Sequence, residues 1–576
     1  MTDVTTVTET SVTPVGLPVG DDDLTTPRMR FWGWGVDGHD GPLPPGAEAL
    51  MTSELGPSAG AGPRRDPVAL QDVALPDSRI GTPARDALVA VVGTEHVRDD
   101  HATRVVHSAG KSYPDLVRLR TGTVAHAPDA VVYPADHDEV VAVLAVAAEH
   151  RLTVVPFGGG SSVVGGVEPL LGDGHDAVVT VDLARLSFVR AVDARSQTAT
   201  VGAGTTGPEV ERLLAAHGLT LGHYPQSFEF STVGGWVATR SAGQASTGYG
   251  RIDDLVLAVR AATPAGEFTS LAIPGTAAGP DLRELLVGSE GTLGIITEVV
   301  LRVRPRPAAA RYEAWVVPDM SAGVETLREL EQHGIAPAIA RLSDEEETRL
   351  QFAMAGGSTS TKIGKAYLAA RGRANGCTLI LGYEGTPGVI AEQRAHVVPV
   401  VRRHGGVALG SRPGEAWRAG RFHGPYLRDE LLARGVLVDT LETATSWGTL
   451  LELYRAVGSA LRRSLAARGT PALVMCHVSH VYPTGASLYF TFLAAQETGA
   501  ELEQWHAAKS AAGEAIVAAG GTITHHHAVG RDHAPWLTPE IGALGTDLLR
   551  AAKARVDPDG LLNPGKLIDG APLPGA

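Results

Sequence analysis

The chain has very little cysteine and lacks a long apolar run. Its 576 residues include only Cys377 and Cys476, which excludes a disulfide framework and favours a reducing compartment. No uncharged apolar stretch reaches the roughly 20 residues of a membrane-spanning helix. The N-terminus has neither the basic region nor the apolar core of a signal peptide, so we expect a cytoplasmic protein.

Positive charge is also in short supply. Lys and Arg together number 49 against 64 Asp and Glu, which gives a formal net charge of −15. Such an acidic chain does not attract the phosphate backbone of nucleic acid, and we expect no nucleic-acid partner. A hydrophobic content of 44% and a length beyond that of one core predict a soluble protein of two or three domains.

Glycine, in contrast, is abundant and clustered. The segment 156–169, PFGGGSSVVGGVEP, follows the apolar run 152–155, which predicts a buried strand leading into a loop almost free of side chains. Backbone N–H groups of such a loop can converge on an anion such as a pyrophosphate. An ordinary glycine-rich surface turn is the alternative.

The pattern along the chain predicts five parts. We expect a disordered tail at 1–27, an N-terminal segment at 28–124 in which RFWGWG anchors to another domain, and an α+β domain at 125–305. Two strand–helix–strand units at 310–523 predict an antiparallel sheet with helices on one face, and 524–576 forms a C-terminal segment. Within the second domain, the Gly/Ser/Thr-rich stretch 355–376 predicts a mobile loop or lid.

One glycine motif does not support a dinucleotide site. Gly202, Gly204 and Gly207 fit G-x-G-x-x-G between a strand and a helix. The acidic residue that a Rossmann site needs about 20 residues further on is missing, because 220–225 reads TLGHYP. A tight turn between strand and helix is the preferred interpretation.

Two further small-residue segments complete a pattern with the first loop. They are QSFEFSTVGGWVATRSAGQASTGYG at 226–250 and VGSEGTLGIITEV at 287–299. In order and spacing the three resemble the FAD-binding domain of the vanillyl-alcohol oxidase, or PCMH, type. The resemblance implies an α+β fold, in which a PCMH-type FAD-binding domain is joined to an α/β cap domain with an antiparallel sheet.

The resemblance also implies which residues bind FAD. The first loop has no histidine to tether the flavin, so we expect non-covalent FAD. The implied contacts are Pro156, Phe157, Gly158, Gly159, Gly160, Ser161 and Ser162, then Gln226, Ser227, Phe228, Glu229, Phe230, Ser231 and Thr232, then Thr239, Arg240, Ser241 and Ala242, and finally Glu290, Gly291, Thr292, Leu293, Gly294, Ile295 and Ile296.

Four features of the cap carry chemistry. They are the triplet at 525–527 in THHHAVG, Tyr489 in a strand-like run, Arg341 in ARLSD and Arg428 in YLRD. On an extended segment His525 and His527 would face one way and His526 the other. Histidines can move protons or bind phosphate, and an arginine fork suits phosphate or carboxylate. For the histidines the alternatives are metal ligation or a structural cluster. For Tyr489 the alternative is a core tyrosine, and for the two arginines it is a solvated surface.

Together these features resemble the alkyldihydroxyacetonephosphate synthase family, from RFWGWG near residue 31 to NPGKL near 567. That family exchanges the acyl chain of acyl-dihydroxyacetone phosphate for a fatty alcohol, with no net redox. The resemblance makes Tyr489 the catalytic acid/base and Arg428 the substrate-binding arginine. It adds His525, His526, His527, Arg341 and His223 as catalytic residues, with no metal.

The resemblance further implies a homodimer, a lipid phosphate substrate and peripheral membrane contact. Two departures matter: Ala528 stands where the family has glycine, and no peroxisomal signal is evident, which favours a bacterial cytoplasm. The main competitor is an FAD-dependent D-2-hydroxy-acid dehydrogenase of the same fold. Its metal site uses a Gly-Glu-His segment where this chain has three histidines, although His477, His480 and the triplet leave metal binding open. A non-catalytic flavin-binding protein is the third alternative.

Overall fold

The computed structural model describes residues 5–6, 29–38, 43–44, 46–56, 64–354 and 359–568. The disorder predicted for 1–27 therefore falls outside the described residues, apart from Thr5–Thr6. In the part of the chain that is described, none of the helices combines the length and the apolar character needed to cross a bilayer.

The N-terminal segment packs through its aromatic cluster, as RFWGWG predicted. Trp34 is buried with its ring 5.4 Å from that of Phe230, and its backbone N–H donates to the Asp429 carboxylate at 2.5 Å. A Cβ on Gly33 would lie 2.4 Å from the same carboxylate, so only glycine allows this approach. The first elements of the chain are β1 (Thr5–Thr6), which lies before this segment, and then α1 (Ala47–Leu55), α2 (Thr82–Val92), β2 (Val97–Arg98), α3 (His101–Val106) and α4 (Tyr113–Thr121) within it.

The next unit alternates helices and strands around two main sheets. Its helix boundaries follow from capping residues: the Asp136 side chain accepts from the Glu139 N–H at 2.9 Å and starts the helix at His137. Its elements are β3 (Ala130–Val132), α5 (His137–Glu149), β4 (Leu152–Phe157), β5 (Ala177–Asp182), β6 (Val189–Asp193), β7 (Thr198–Gly202), α6 (Gly207–Ala215), β8 (Leu219–Thr220), α7 (Val233–Ala238), α8 (Ser246–Tyr249), α9 (Ile252–Leu255), β9 (Val256–Thr263), β10 (Gly266–Thr269), β11 (Ile295–Arg302) and β12 (Arg304–Pro305).

These strands form a four-stranded sheet in the order β2-β3-β5-β4, with β3 and β4 parallel to β5. A five-stranded antiparallel sheet has the order β10-β9-β11-β7-β6. The turn from Gly202 to Gly207 joins β7 directly to α6, and a Cβ on Gly204 would lie 1.8 Å from the Leu183 carbonyl oxygen. These glycines therefore serve close backbone packing.

The cap is built on one large antiparallel sheet. Its order is β1-β13-β15-β14-β18-β20-β17, with β16 added to β13 and β19 to β20. The elements are β13 (Ala309–Val317), α10 (Met320–Gln332), β14 (Ile339–Ser343), α11 (Glu345–Met354), α12 (Thr359–Ala370), β15 (Cys377–Gly385), α13 (Pro387–Arg403), β16 (Val407–Gly410), α14 (Ser411–Gly420), α15 (Gly424–Leu432), β17 (Val436–Ser446), α16 (Leu450–Ala467), β18 (Leu473–Val478), β19 (Val481–Tyr482), β20 (Gly485–Ala495) and α17 (Glu501–Ala518).

Helices α10, α13, α16 and α17 bury apolar residues in the same core as the cap strands. The predicted α+β class, with an antiparallel cap sheet, is confirmed. Of the mobile loop or lid predicted at 355–376, the loop is wrong for 359–370, which form α12, and 355–358 lie outside the described residues. Residues such as Lys362, Ala366 and Leu368 favour a helix enough to outweigh the local serines and glycines.

The C-terminal segment contains α18 (Leu537–Val556) and then runs back to β4. Val154 donates its N–H to the Leu561 carbonyl at 2.8 Å and accepts from the Asn563 N–H at 2.9 Å. These bonds place the last described residues beside the glycine-rich loop.

Candidate functional site

Two of the predicted cofactor loops pack backbone against backbone. A Cβ on Gly159 would lie 1.9 Å from the Phe230 carbonyl oxygen, and one on Gly158 would lie 2.3 Å from the Thr232 hydroxyl. Gly160 adopts a φ of +64°, which also favours glycine. The loop 156–162 is therefore glycine-rich because it lies directly on residues 230–232.

The third predicted loop joins them. Gly291 has a φ of +74°, and a Cβ there would lie 2.9 Å from the Pro156 ring. The Asn563 amide nitrogen donates to the Glu290 carbonyl at 2.7 Å and to the Gly166 carbonyl at 3.1 Å. Its Oδ1 and the Ser289 hydroxyl are buried without a hydrogen-bond partner among the described residues. The Ser289 hydroxyl can donate or accept and Asn563 Oδ1 can only accept, so the pair fits a ligand that offers both N–H or O–H groups and oxygens, such as a nucleotide cofactor.

Some predicted cofactor residues use their side chains elsewhere. Arg240 pairs with Asp253 at 3.2 Å and with Glu284, and it donates to the Val287 carbonyl at 3.0 Å. Phe228 stacks on Phe422 with ring centroids 5.5 Å apart. In both cases the side chain fixes the loop, and a cofactor contact would have to come from the backbone.

The Glu290 side chain also makes a bridge. Its carboxylate accepts the backbone N–H groups of Val529 at 2.8 Å and Gly530 at 2.7 Å, just after the histidine triplet. Burial raises the pKa of Glu290 to about 7, although both N–H bonds lower it. Glu290 therefore ties the third cofactor loop to the segment that carries the triplet.

In the cap, three strands present functional side chains side by side. Tyr489 on β20 lies opposite Glu442 on β17 and opposite His477 on β18. Residues directly opposite on antiparallel strands share one face of the sheet. The three side chains therefore project from the same face, although the sequence places them up to 47 residues apart (489 − 442).

Aromatic rings enclose Tyr489. The His477 ring stacks on it with centroids 4.6 Å apart and an angle of 15°, and the His527 ring meets it edge-on at 5.6 Å. Burial raises the pKa of Tyr489 to about 12, against the lowering effect of a hydrogen bond with Thr440. The phenol is consequently protonated at neutral pH.

Arg341 contacts His477, the ring that stacks on Tyr489. Its guanidinium lies 2.5 Å from Glu347 Oε1 and 3.0 Å from His477 Nδ1. Burial raises the pKa of Glu347, but Arg341 and His477 outweigh burial and bring it to about 2. Glu347 is thus an ionised residue that orients both Arg341 and His477; sequence reasoning missed it because nothing marks it among its neighbours Glu345 and Glu346.

The histidine triplet does not alternate as predicted. His525 and His526 both turn toward Glu442, whereas His527 turns toward Tyr489. The segment is not extended: the His527 N–H donates to the Thr524 hydroxyl at 3.2 Å, and Ala528 has a φ of +75°. This local turn overrides the strand periodicity, and Ala528 holds the conformation that the family's usual glycine would adopt more easily.

Glu442 lies at the centre of the second histidine group. It is fully buried and contacts His526, with His480 and His525 each 3.7 Å away. Burial raises the pKa of Glu442, but His526 and His525 outweigh it and hold the pKa well below its usual range. Sequence reasoning missed Glu442, since a lone glutamate in LETATS gives no signal until the strands pair.

The remaining predicted residues, His223 and Arg428, make separate contacts. His223 is buried against Trp236 at 4.9 Å with its Nε2 3.2 Å from the Ser241 hydroxyl; burial, helped by the charge of His526, lowers its pKa to about 3. Arg428 donates from Nη1 to the Lys111 carbonyl at 2.7 Å. Its Nε and Nη2 are buried without a hydrogen-bond partner in the described chain, with Nε 4.0 Å from Asp429 Oδ1, so their N–H groups can still bond to an anion.

Comparison with known proteins identifies the families of the two domains. Residues 128–272 match the family described as FAD binding domain, and residues 306–567 match FAD linked oxidases, C-terminal domain. The chain is 35% identical over 506 residues to alkyldihydroxyacetonephosphate synthase of Trypanosoma brucei brucei, covering 86% of this chain and 82% of that protein. It is 36% identical over 482 residues to the same enzyme of Dictyostelium discoideum, covering 82% and 79%.

A solved structure of alkyldihydroxyacetonephosphate synthase superposes with a TM-score of 0.81 at 30% identity. The match covers 93% of this chain and 98% of that one. The similarity thus extends across both the glycine-rich cradle and the cap that carries Tyr489.

Proposed function

This chain belongs to the alkyldihydroxyacetonephosphate synthase family and is an FAD-dependent enzyme, and from this premise we propose that it exchanges the acyl chain of an acyl-dihydroxyacetone phosphate for a fatty alcohol. The products are an ether-linked dihydroxyacetone phosphate and a free fatty acid. The observation that carries the proposal is Tyr489, enclosed by His477 and His527 on the sheet face that also holds Glu442.

The cradle is suited to FAD. The backbone of 156–162, 230–232 and 290–296 would hold the cofactor, and the unpaired Ser289 hydroxyl and Asn563 Oδ1 offer polar contacts. Bound flavin supplies the covalent catalysis of an exchange that transfers no net electrons. We propose non-covalent binding, because the loop 156–162 contains no histidine.

Tyr489 is proposed as the proton donor and acceptor of the exchange. Its phenol gives a proton to the departing carboxylate and takes one from the incoming alcohol, so the ring returns to its starting state. His477 stacks flat against the phenol and is itself fixed by Arg341 and Glu347. This arrangement fixes the orientation of the hydroxyl, which is the requirement for efficient proton transfer.

Arg428 is proposed to anchor the phosphate of the substrate. Its Nε and Nη2 make no hydrogen bond in the described chain and form one edge of the guanidinium fork, which matches two oxygens of a phosphate. The Asp429 carboxylate, 4.0 Å from Nε, is a nearby counter-charge, and a phosphate would add the hydrogen bonds that these N–H groups lack. A lipid phosphate substrate, peripheral membrane contact and a homodimer complete the proposal drawn from the family.

Substitution of Tyr489 by Phe tests this assignment. We expect Tyr489→Phe to lose at least about 100-fold in turnover, because only the hydroxyl is removed, while FAD content stays normal. Tyr113→Phe is the matched control: Tyr113 is a buried tyrosine at the start of α4, and its hydroxyl accepts from the Gln496 side-chain amide at 3.0 Å, just beyond the end of β20. If Tyr489→Phe and Tyr113→Phe turn over equally well, Tyr489 has no part in the reaction.

A further inference from the structure

The carboxylate of Glu442 lies in an unusual environment for a buried acid. Its side chain has no exposed surface, and the ionisable groups close to it are imidazoles, one of which, His526, is in direct contact with Oε2. Burying an ionised carboxylate is costly unless a positive charge compensates it. The groups around Glu442 are three imidazoles, from His480, His525 and His526.

Three of the distances between these four donors are close to those in a metal-binding tetrahedron, whereas His526 Nδ1 and Glu442 Oε2 are in direct contact and would move apart on binding an ion. Glu442 Oε1 lies 3.7 Å from His480 Nε2 and 3.7 Å from His525 Nδ1, while His525 Nδ1 and His526 Nδ1 are 3.2 Å apart. Zinc–ligand bonds of about 2.0–2.1 Å in a tetrahedron place donor atoms about 3.3 Å from one another. All four donor atoms lie within 4.8 Å of each other, close enough to surround one ion.

The other ring nitrogens have the partners that metal-bound histidines need. His480 Nδ1 is 2.6 Å from the Ser246 hydroxyl, and His525 Nε2 is 2.7 Å from the Tyr482 hydroxyl. Such outer hydrogen bonds fix the ring orientation and leave the opposite nitrogen free to bind a metal. In both rings the opposite nitrogen is the one that faces Glu442.

We propose that Glu442, His480, His525 and His526 bind one divalent first-row transition-metal ion, with Zn²⁺ the best match to three imidazoles and one carboxylate in a tetrahedron. Four protein donors leave no open position, so the site is structural. The ion links Glu442 on β17 and His480, just before β19, to the triplet. It thereby holds His527, the last residue of the triplet, against Tyr489.

The proposal goes beyond the exchange reaction and does not rest on it. It has one consequence for that reaction: metal-bound His525 and His526 are not available to carry protons. Proton transfer would then fall to Tyr489 and its two ring partners, His477 and His527.

Metal content tests the site directly. The untagged, FAD-loaded full chain is purified without chelator and analysed by plasma mass spectrometry, and we expect about one Zn²⁺ per chain. After removal of the ion with dipicolinate, Co²⁺ should restore one equivalent and give visible ligand-field bands at wavelengths beyond those of the flavin. A protein that neither contains nor takes up one equivalent of Zn²⁺ or Co²⁺ would overturn the proposal and leave a proton-sharing histidine–glutamate cluster.

Variants separate this site from other histidines. Glu442→Gln and His480→Asn should each lower the bound metal at least tenfold. His107→Gln is the matched control, since His107 also pairs with a buried carboxylate, Asp182 at 2.8 Å, and this pair is not part of a group of metal donors found among the described residues; it should keep one equivalent. FAD content checks folding, and if His107→Gln loses FAD the exposed His396→Gln replaces it. Unchanged metal content in both Glu442→Gln and His480→Asn would contradict the assignment of ligands.

Because metal content is measured without substrate, this result is independent of the exchange assay. A zinc-containing protein that fails to exchange acyl chains would refute the proposed function alone. A metal-free protein that performs the exchange would refute the metal site alone.

Discussion

Substitution of Gly159 by alanine should disable the cofactor cradle. The added Cβ would lie 1.9 Å from the Phe230 carbonyl oxygen, whereas an ordinary contact begins at 3.4 Å. The two loops must therefore separate by 3.4 − 1.9 = 1.5 Å. Neither atom belongs to a flexible side chain, so the backbone itself has to move.

The expected cost follows from this overlap. Overpacking of a tight site costs about 1–3 kcal/mol. If this cost falls on the FAD-bound protein, FAD binds roughly 10- to 100-fold more weakly. The loss is measured by flavin absorbance per protein after gel filtration and by titration of FAD into the apoprotein. We expect apoprotein to dominate in Gly159→Ala at FAD concentrations that saturate the wild type.

Gly275→Ala is the matched control. A Cβ at Gly275 meets no atom within 4 Å, and this glycine has no positive φ. Its FAD affinity should equal that of the wild type. If Gly159→Ala also retained full FAD affinity, the contact between the loops 156–162 and 230–232 would not form the cofactor site.

Three further predictions concern the residues around the reaction centre. Glu347→Gln should lower turnover by up to about 100-fold without changing FAD content, because Arg341 and His477 lose their fixed orientation; full turnover would show that this positioning is unimportant. Arg428→Ala should raise KM for the phosphate substrate about 10-fold or more with a smaller effect on kcat, measured by steady-state kinetics, and an unchanged KM would contradict the anchor. Glu290 has a folded pKa of about 7, above its unfolded value of 4.5, so its stabilising contribution is complete below pH 4.5 and is lost as pH rises through about 7. The melting temperature of the wild type should therefore fall over this range relative to Glu290→Gln, and parallel curves would contradict it.

Much of the scaffold could be predicted because its signals are local. Asp136 followed by an amphipathic run marked α5, and the apolar run before Gly158 marked β4 and its loop. The motif order of the three cofactor loops led to the FAD-binding fold. The aromatic anchor around Trp34 was equally visible, since such a cluster in a polar segment needs a partner to bury it.

The interior of the candidate site was less predictable because its contacts join distant strands. Glu442 and Glu347 acquire their partners only when β14, β17, β18 and β20 pair, and neither has a distinctive neighbour in the sequence. The triplet showed that histidines gather, but not that a turn at Thr524 would direct His525 and His526 one way and His527 another. Tertiary packing therefore decided which side chains meet, whereas the sequence indicated only which ones carry chemistry.

The most direct test of the proposed reaction is an anaerobic exchange assay with no electron acceptor. The holoenzyme is incubated with palmitoyl-dihydroxyacetone phosphate and labelled hexadecanol, and both the labelled ether product and flavin absorbance are followed. The account predicts one labelled ether for each palmitate released, with no net reduction of the flavin at the end of the reaction. Absence of ether product, together with persistent bleaching of the flavin by D-lactate or a related D-2-hydroxy acid, would contradict it and identify a dehydrogenase.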